Sequence, residues 1–205
     1  MKNQVMDSQE NINTFPLSKN TKITGKRRAI REKILQILVS YEISETSLEL
    51  LFNHIFFREF QFGDEHDNDV DDPNHVHQFL DPQQIEELEA DTRIVWPKEE
   101  LAFAHQLLES VLSNRTACEE IIVESAKNWE YDRISYLDKK IMAIAICEFL
   151  YFPEIPPKVT INEAIDLGKK YSTEKSGTFI NGVLDNVISL FKKEGKMTKT
   201  GKGLK

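Results

Sequence analysis

The stretch from Ile155 to Asp185 constrains the fold of this chain most strongly. It reads IPPKVTINEAIDLGKKYSTEKSGTFINGVLD. Pro156 and Pro157 fix φ and have no amide hydrogen, so a helix cannot run through them but can begin just after them. We therefore predict one helix from Lys158 to about Tyr171, followed by a polar turn and a second amphipathic helix.

Details of the two helices lead to further expectations. Val159, Ala164 and Gly168 fall on or near one stripe of the first helix, which we expect to face the core. Gly182 falls early in the second helix, where glycine costs about 1 kcal/mol relative to alanine. We expect close approach of another helix to explain this glycine.

Helical spacing of apolar residues recurs through the rest of the chain. The predicted helices run from Arg27 to about Ile43, from about Ser47 to Phe60, from just after Pro97, from about Thr116 to Trp129, and from Ser135 to Pro153. Ser135 followed by Asp138 resembles a capping box. No convincing strand and no fixed-period repeat is visible, so the sequence predicts an all-α fold of about seven helices.

Composition and motifs exclude several classes of protein. No segment approaches 18 uncharged apolar residues, and the polar N-terminus has no signal-peptide core, so we expect a soluble, cytoplasmic protein with no membrane contact. Cys118 and Cys147 lie among apolar neighbours and are expected to be buried, reduced thiols. No phosphate-binding glycine loop, G-x-S-x-G, paired Cys/His or HExxH motif is present. We therefore predict no enzyme activity, no catalytic residue and no cofactor.

The charge of the chain is unevenly distributed. The net charge is −8, but twelve acidic residues and no Lys or Arg lie between Glu59 and Asp91, which leaves +4 for the rest of the chain. Five basic residues, Lys26, Arg27, Arg28, Arg31 and Lys33, mark the start of the first predicted helix. Six lysines follow from Lys192 onward. Basic ends of this kind are typical of polyanion binding.

The acidic segment contains three histidines, which raises the question of a metal site. The run that begins at Asp67 starts like a calcium-binding loop. Its sixth position is Asp72 where such loops need glycine, and its twelfth is Gln78 where they need glutamate. We predict a self-repelling loop and no metal site.

The residue order from Ile155 to Asp185 resembles the C-terminal signature of the NusB family of transcription antitermination factors. That signature couples I/V-P-x-K-V-x-I-N-E-A-I to F-I/V-N-G-V-L-D. RRAIREKILQILVSYE resembles the family's arginine-rich first helix, and ISYLDKKIMAIAICEFLYF the helix before the proline turn. The resemblance covers most of residues 27–190. It implies two small helical bundles, with a flexible leader at 1–25, an N-terminal bundle at 26–113 including an acidic loop at about 61–93, a C-terminal bundle at 114–192 and a basic tail at 193–205.

The resemblance also implies a function and partners. Family members bind the boxA element of nascent RNA together with NusE, a ribosomal protein of the small subunit, and modify RNA polymerase against termination in ribosomal RNA operons. Some relatives form homodimers by covering the arginine surface, and the sequence leaves this state open. Contacts to phosphates would make the affinity for RNA sensitive to salt. Contacts to the exposed bases of a single strand would give sequence selectivity.

The resemblance assigns RNA contacts to one cluster and one aromatic residue. Their positions here are Lys26, Arg27, Arg28, Arg31 and Phe179, to which we add Lys158 because it follows the proline turn. A solvated basic helix start, an exposed lysine and a core aromatic are the structural alternatives. Asp138 and Tyr171 match positions on or near the NusE-facing surface, with a helix cap and a rim aromatic as their alternatives.

Two positions depart from the family pattern. Val39 stands where many relatives have an aromatic residue, and Thr178 where many have a basic one. Both positions are near the RNA or partner surface in the family. The alternative function is therefore a non-catalytic helical adaptor that binds only protein and has lost its RNA contacts.

The opposite charges of the acidic segment and the arginine cluster generate a prediction. If the segment competes with RNA for the arginines, deleting residues 63–80 should tighten RNA binding at low salt. Fluorescence anisotropy with a boxA-type RNA at two salt concentrations measures this. Equal affinity of the deletion variant and the intact chain would rule the competition out.

Overall fold

The computed structural model describes residues 23–57, 94–197 and 199. Within them, seven α-helices follow one another: α1 Arg27–Ile43, α2 Leu48–Phe56, α3 Lys98–Ser113, α4 Arg115–Ser125, α5 Tyr136–Tyr151, α6 Pro157–Tyr171 and α7 Ser176–Lys193. A 3-10 turn, Tyr131–Arg133, precedes α5. The prediction of an all-α class is confirmed. The acidic loop, and with it the question of a metal site there, lies outside the described residues, as do residues 1–22 of the leader.

The structure adds one short parallel pairing to the predicted helices. Strand β1, Ile23–Thr24, pairs with β2, Ile94–Val95, in register Ile23 to Ile94. Gly25 extends the pairing by donating its amide hydrogen to the Val95 carbonyl at 2.9 Å. A two-residue strand has no periodicity that a sequence pattern could reveal.

Helix α5 is the centre of the core. All residues from 141 to 149 are buried, because α5 contacts α1, α3, α4, α6 and α7. A helix surrounded in this way has an apolar residue on every side and no clear polar face. None of the described helices is long and apolar enough to cross a membrane.

The C-terminal end of α1 is held by a charged cluster. Glu42 accepts hydrogen bonds from Lys140 and Tyr136 of α5 and forms an ion pair with Arg115 of α4 at 3.0 Å. Burial alone would raise the pKa of Glu42, but these two hydrogen bonds and the charges of Lys140 and Arg115 lower it overall. The cluster joins α1 to the helices that follow the α3–α4 turn.

Both cysteines are buried, as predicted, and they touch. Cys118 of α4 and Cys147 of α5 are free thiols whose Sγ atoms lie 3.7 Å apart. The hydrogen bond with Cys118, together with burial, raises the pKa of Cys147. These thiols therefore belong to the apolar packing between α4 and α5.

Some local predictions were wrong, for identifiable reasons. Helix α4 ends at Ser125 and leaves Trp129 in a following loop, 55% exposed. Ser135 lies at the N-cap of α5 but makes no capping bond. Its hydroxyl instead pairs with the Ser172 hydroxyl at 3.1 Å, because the α6–α7 turn comes close. Val159 is 43% exposed, since the buried face of α6 is rotated towards Ile161 and Ala164.

The close approach between α6 and α7 occurs at a different glycine from the one predicted. A Cβ built on Gly182 would meet nothing within 4 Å, so the expectation for that residue was wrong. A Cβ on Gly168 of α6 would lie 2.6 Å from the Ile180 side chain of α7. Gly168 therefore allows the two helices to approach at this point.

Two glycine variants should change stability in opposite directions. A Cβ on Gly25 would lie 2.1 Å from the Trp96 ring, which is fixed by an indole hydrogen bond to the Phe56 carbonyl at 2.8 Å. Gly25→Ala should lower the free energy of unfolding by about 1–3 kcal/mol. Gly182→Ala should raise it by about 0.5–1 kcal/mol, because alanine is the better helix former in open space. Urea denaturation of both variants tests this, and destabilisation by Gly182→Ala would contradict it.

Candidate nucleic-acid interface

The start of α1 carries two arginines with exposed side chains, and each pairs with carboxylate groups from later parts of the chain. The Arg27 side chain is 40% exposed, lies 3.5 Å from Glu154 and 3.8 Å from Glu100, and stacks over the Phe103 ring at 4.5 Å. The Arg28 side chain is 66% exposed and donates to Asp166 of α6 at 2.8 Å. Exposed ion pairs of this kind contribute roughly 0–1 kcal/mol, so phosphate oxygens can replace the carboxylates at little cost.

Arg31 is placed differently from the other members of the predicted cluster. It is only 4% exposed, and its guanidinium donates to both carboxylate oxygens of Glu148, at 2.6 Å from Nε and 3.1 Å from Nη2. Glu148 is fully buried and also accepts the Thr160 hydroxyl at 2.8 Å. A second carboxylate, Glu163, lies 3.8 Å from Arg31 Nη1. The structure therefore gives Arg31 a role in joining α1, α5 and α6, and RNA contact by Arg31 stays a prediction from the resemblance alone.

The two predicted lysines are exposed near this surface. Lys26 lies at the N-cap of α1, directly before the arginines. Lys158 lies in the first turn of α6, four residues after the Glu154 that pairs with Arg27. The structure thus places both lysines on the elements that position Arg27 and Arg28.

Side chains bridge α1 and α6, and α6 continues the surface away from the arginines. Asp166 pairs with Arg28, and one turn further on Tyr171 donates its hydroxyl to Glu32 of α1. Burial, together with this bond to Glu32, raises the pKa of Tyr171 to about 12. Tyr171 is half-buried, so the predicted partner contact would involve only the exposed part of its ring.

Beyond Tyr171 the α6–α7 turn leads to a pocket that contains the remaining predicted residues. Phe179 is half-buried, with its ring 5.1 Å from the Trp129 ring in an edge-to-face arrangement. Asp138 is 4% exposed and accepts the Ser176 hydroxyl at 2.9 Å. Both line one pocket, together with Thr178. The predicted residues therefore form two groups, the arginines with the lysines on α1 and α6, and Asp138 with Phe179 at the pocket.

Several residues of this region were not anticipated from the sequence. Glu148 and Glu32 orient α1 on α5 and α6. Nothing in the local sequence distinguishes these two glutamates from other acidic residues of the helices. Helical spacing predicts Trp129 at the end of α4, although the polar run NWEYDR around it is a signal for a loop. Among the described residues, no group of three or more metal-ligating side chains comes together.

Comparison with known proteins identifies the family. The model of the NusB family matches residues 69–189, more than half of the chain. The chain belongs to the NusB family. Its signature stretch and helix α5 lie within this match. The family consists of non-catalytic proteins, which agrees with the prediction that the chain is not an enzyme.

One relative and two solved structures show how far the similarity extends. Over 102 residues, half of this chain, the sequence is 44% identical to the transcription antitermination protein NusB of Chloroherpeton thalassium, and this match spans 48% of that protein. The fold is similar to T. maritima NusB, with a TM-score of 0.57, 24% identity and coverage of 82% of this chain and 93% of that one. It is also similar to a chain in a crystal structure of antitermination factors NusB and NusE in complex with dsRNA, with a TM-score of 0.54, 18% identity and coverage of 80% and 96%. At these identities the two structures establish the fold.

The different environments of Arg31 and Arg28 generate a matched pair of stability predictions. Arg31→Gln should lower the free energy of unfolding by about 3–5 kcal/mol, because it leaves the Glu148 carboxylate buried without its cation. Arg28→Gln removes the same charge from an exposed pair and should change stability by less than about 0.5 kcal/mol. Urea denaturation followed by circular dichroism measures both. Similar effects of the two substitutions would show that the buried Arg31–Glu148 pair does not hold α1 on α5 and α6.

Proposed function

We propose that this protein is an RNA-binding transcription antitermination factor. It binds a boxA-type single strand of RNA together with NusE, and the assembly modifies RNA polymerase against termination in ribosomal RNA operons. Membership of the NusB family carries the proposal, and the exposed arginines at the start of α1 support it. A cytoplasmic location is consistent with this function.

The arrangement of Arg27 and Arg28 suits phosphate binding. Their guanidinium groups are exposed, while their neighbour Arg31 is fixed on Glu148 and holds the helix in place. Arginine can grip phosphate through two parallel hydrogen bonds and can stack on a base. Cations at a helix N-terminus oppose the helix dipole, so their placement there has a cost that RNA binding would explain.

Resemblance supports the remaining parts of the proposal. The fold relative that was crystallised with NusE and RNA supports both of these as partners here. Tyr171 and Asp138 stay proposed partner-facing residues on the family resemblance, and Phe179 and Lys158 stay proposed RNA contacts. A homodimer that covers the arginine surface remains a further proposal, which light scattering can test.

A protein-only adaptor is the second candidate function. One observation favours it, namely that three of the four predicted cluster residues already have carboxylate partners. Arg27 pairs with Glu154, Arg28 with Asp166, and Arg31 with Glu148. In this case NusE would bind, but RNA would not strengthen the complex.

Salt-dependent RNA binding separates the two functions. Anisotropy with a boxA-type RNA, with and without NusE and at two salt concentrations, should show tighter RNA binding when NusE is present. The double variant Arg27→Gln/Arg28→Gln should weaken binding by about tenfold. It should also reduce the slope of log affinity against log salt by about 0.7 for each lost phosphate contact.

A matched control exists at the other end of α1. Arg115 is also exposed and also paired with a carboxylate, Glu42. Since Glu42 is about four turns from the start of α1, Arg115 lies on the order of 20 Å from the arginine cluster. Arg115→Gln should leave RNA affinity unchanged. Binding of NusE without any effect of RNA, or equal losses for the control and the double variant, would contradict the proposal.

A further inference from the structure

The chain turns back after α7 and brings Lys199 of its basic tail against the C-terminal end of α5. Gly195 has a φ of +67°, and the Lys196 amide donates to the Phe191 carbonyl at 2.9 Å, which closes the turn. Met197 then packs against the core, and Lys199 is half-buried. The proposed function uses none of these residues.

The Lys199 ammonium is docked on the end of α5. It donates to the carbonyl oxygens of Glu148 at 3.2 Å and of Phe152 at 3.1 Å, and it lies 5.9 Å from the centre of the Phe149 ring. Carbonyl oxygens near a helix C-terminus carry partial negative charge, so they attract a cation. These two bonds use two of the three N–H donors of a lysine and leave one for another acceptor.

This docking places Lys199 beside the arginine cluster. Glu154 follows two residues after Phe152, a span of at most about 7 Å. Glu154 pairs with Arg27 at 3.5 Å. The Phe152 ring also contacts, at 5.1 Å, the Phe103 ring over which Arg27 stacks. Two separate sets of contacts therefore connect Lys199 to Arg27.

The carboxylate of Glu154 acts on both cations. Burial lowers the pKa of Lys199 overall, whereas the negative charges of Glu148 and Glu154 raise it. The Glu154 side chain is 52% exposed and lies in the turn before α6. Since exposed ion pairs are weak, an anion from solution can replace Glu154 beside Arg27 and Lys199.

We propose that Lys199 binds a phosphate of the RNA next to the one bound by Arg27. The inference rests on the proposed RNA-binding function and adds a contact from the C-terminal tail to it. Because two carbonyls already hold the ammonium, Lys199 loses less freedom on binding than a lysine on a free tail would. Lysine binds phosphate as a point charge, so this contact adds affinity without base selectivity.

The neighbouring cations favour RNA over an acidic protein as the ligand of Lys199. Arg27 and Arg28 both have exposed side chains at the start of α1. Three cations on neighbouring parts of the surface suit a strand that carries one negative charge per nucleotide. An acidic protein surface has no such regular spacing of charge, and the titrations with NusE include it as an outcome.

The test removes the charge of Lys199 and keeps the length of its side chain. Lys199→Met retains an unbranched side chain beside Phe149 but has no group that binds phosphate. Lys193→Met is the matched control, because Lys193 is an exposed lysine in the last turn of α7, before the chain turns back. A fluorescein-labelled boxA-type RNA is titrated with the wild-type chain and each variant, alone and with NusE, at several salt concentrations.

The expected results differ between the two lysines. Lys199→Met should weaken RNA binding by about fivefold at low salt. It should reduce the slope of log affinity against log salt by about 0.7, which corresponds to one lost phosphate contact. Lys193→Met should leave both quantities close to the wild-type values. Lys199→Arg should keep the wild-type slope, since arginine retains the charge and has five N–H donors.

A purely structural role of Lys199 gives a different result. If Lys199 only caps α5, Lys199→Met lowers stability in urea denaturation while the salt slope of RNA binding stays at the wild-type value, and this result would overturn the inference. If Lys199→Met does not fold, nuclear magnetic resonance of the lysine Cε groups in the wild-type chain decides. The Lys199 signal should shift when RNA is added and the Lys193 signal should not. An unchanged Lys199 signal would overturn the phosphate contact.

The outcomes separate this inference from the proposed function. RNA binding that is weakened in Arg27→Gln/Arg28→Gln but not in Lys199→Met would overturn the tail contact alone. Weaker NusE binding by Lys199→Met with unchanged RNA affinity would make Lys199 a protein contact and would overturn it as well. Absence of RNA binding by the wild-type chain, both alone and with NusE, would overturn the tail contact and the proposed function together.

Discussion

The buried pair between Arg31 and Glu148 is the interaction on which the rest of this structure depends. A guanidinium and a carboxylate are both removed from water, which is tolerable only when their hydrogen bonds are satisfied. The second donor to Glu148, the Thr160 hydroxyl, and the second carboxylate, Glu163, complete this environment. Since the partners come from α1, α5 and α6, the pair fixes the orientation of three helices at one point.

That orientation of the helices determines which side chains are exposed on this surface of the molecule. With α1 held on α5 and α6, the preceding residues Arg27 and Arg28 keep exposed side chains, Arg28 paired with Asp166 of α6 and Arg27 with Glu154 in the turn before α6. Helix α6 then leads past Tyr171 to Ser176 at the start of α7, whose hydroxyl donates to Asp138.

Much of the fold was predictable from sequence because most helices carry a strong apolar period, and the proline turn marks where α6 begins. The family was predictable because the signature contains specific residues that packing alone does not require. The role of Arg31 was harder to predict, since a charged residue among arginines suggests solvent. Its position one turn before Ile34 and next to Ile30, both fully buried, was the available signal. Gly182 was misjudged because no other helix comes close to it, and the Ser135 cap because the tertiary neighbour Ser172 bonds its hydroxyl. The local pattern reveals neither fact.

The central claim is that one arginine of the cluster is an internal anchor while two others are available to RNA. Nuclear magnetic resonance of the arginine Nε–Hε groups during titration with a boxA-type RNA tests this within a single sample. The account predicts that the signals of Arg27 and Arg28 shift with added RNA, while that of Arg31 stays in place and remains protected from exchange by its bond to Glu148. A shift of the Arg31 signal larger than those of its two neighbours, or rapid exchange of its Hε before RNA is added, would contradict it.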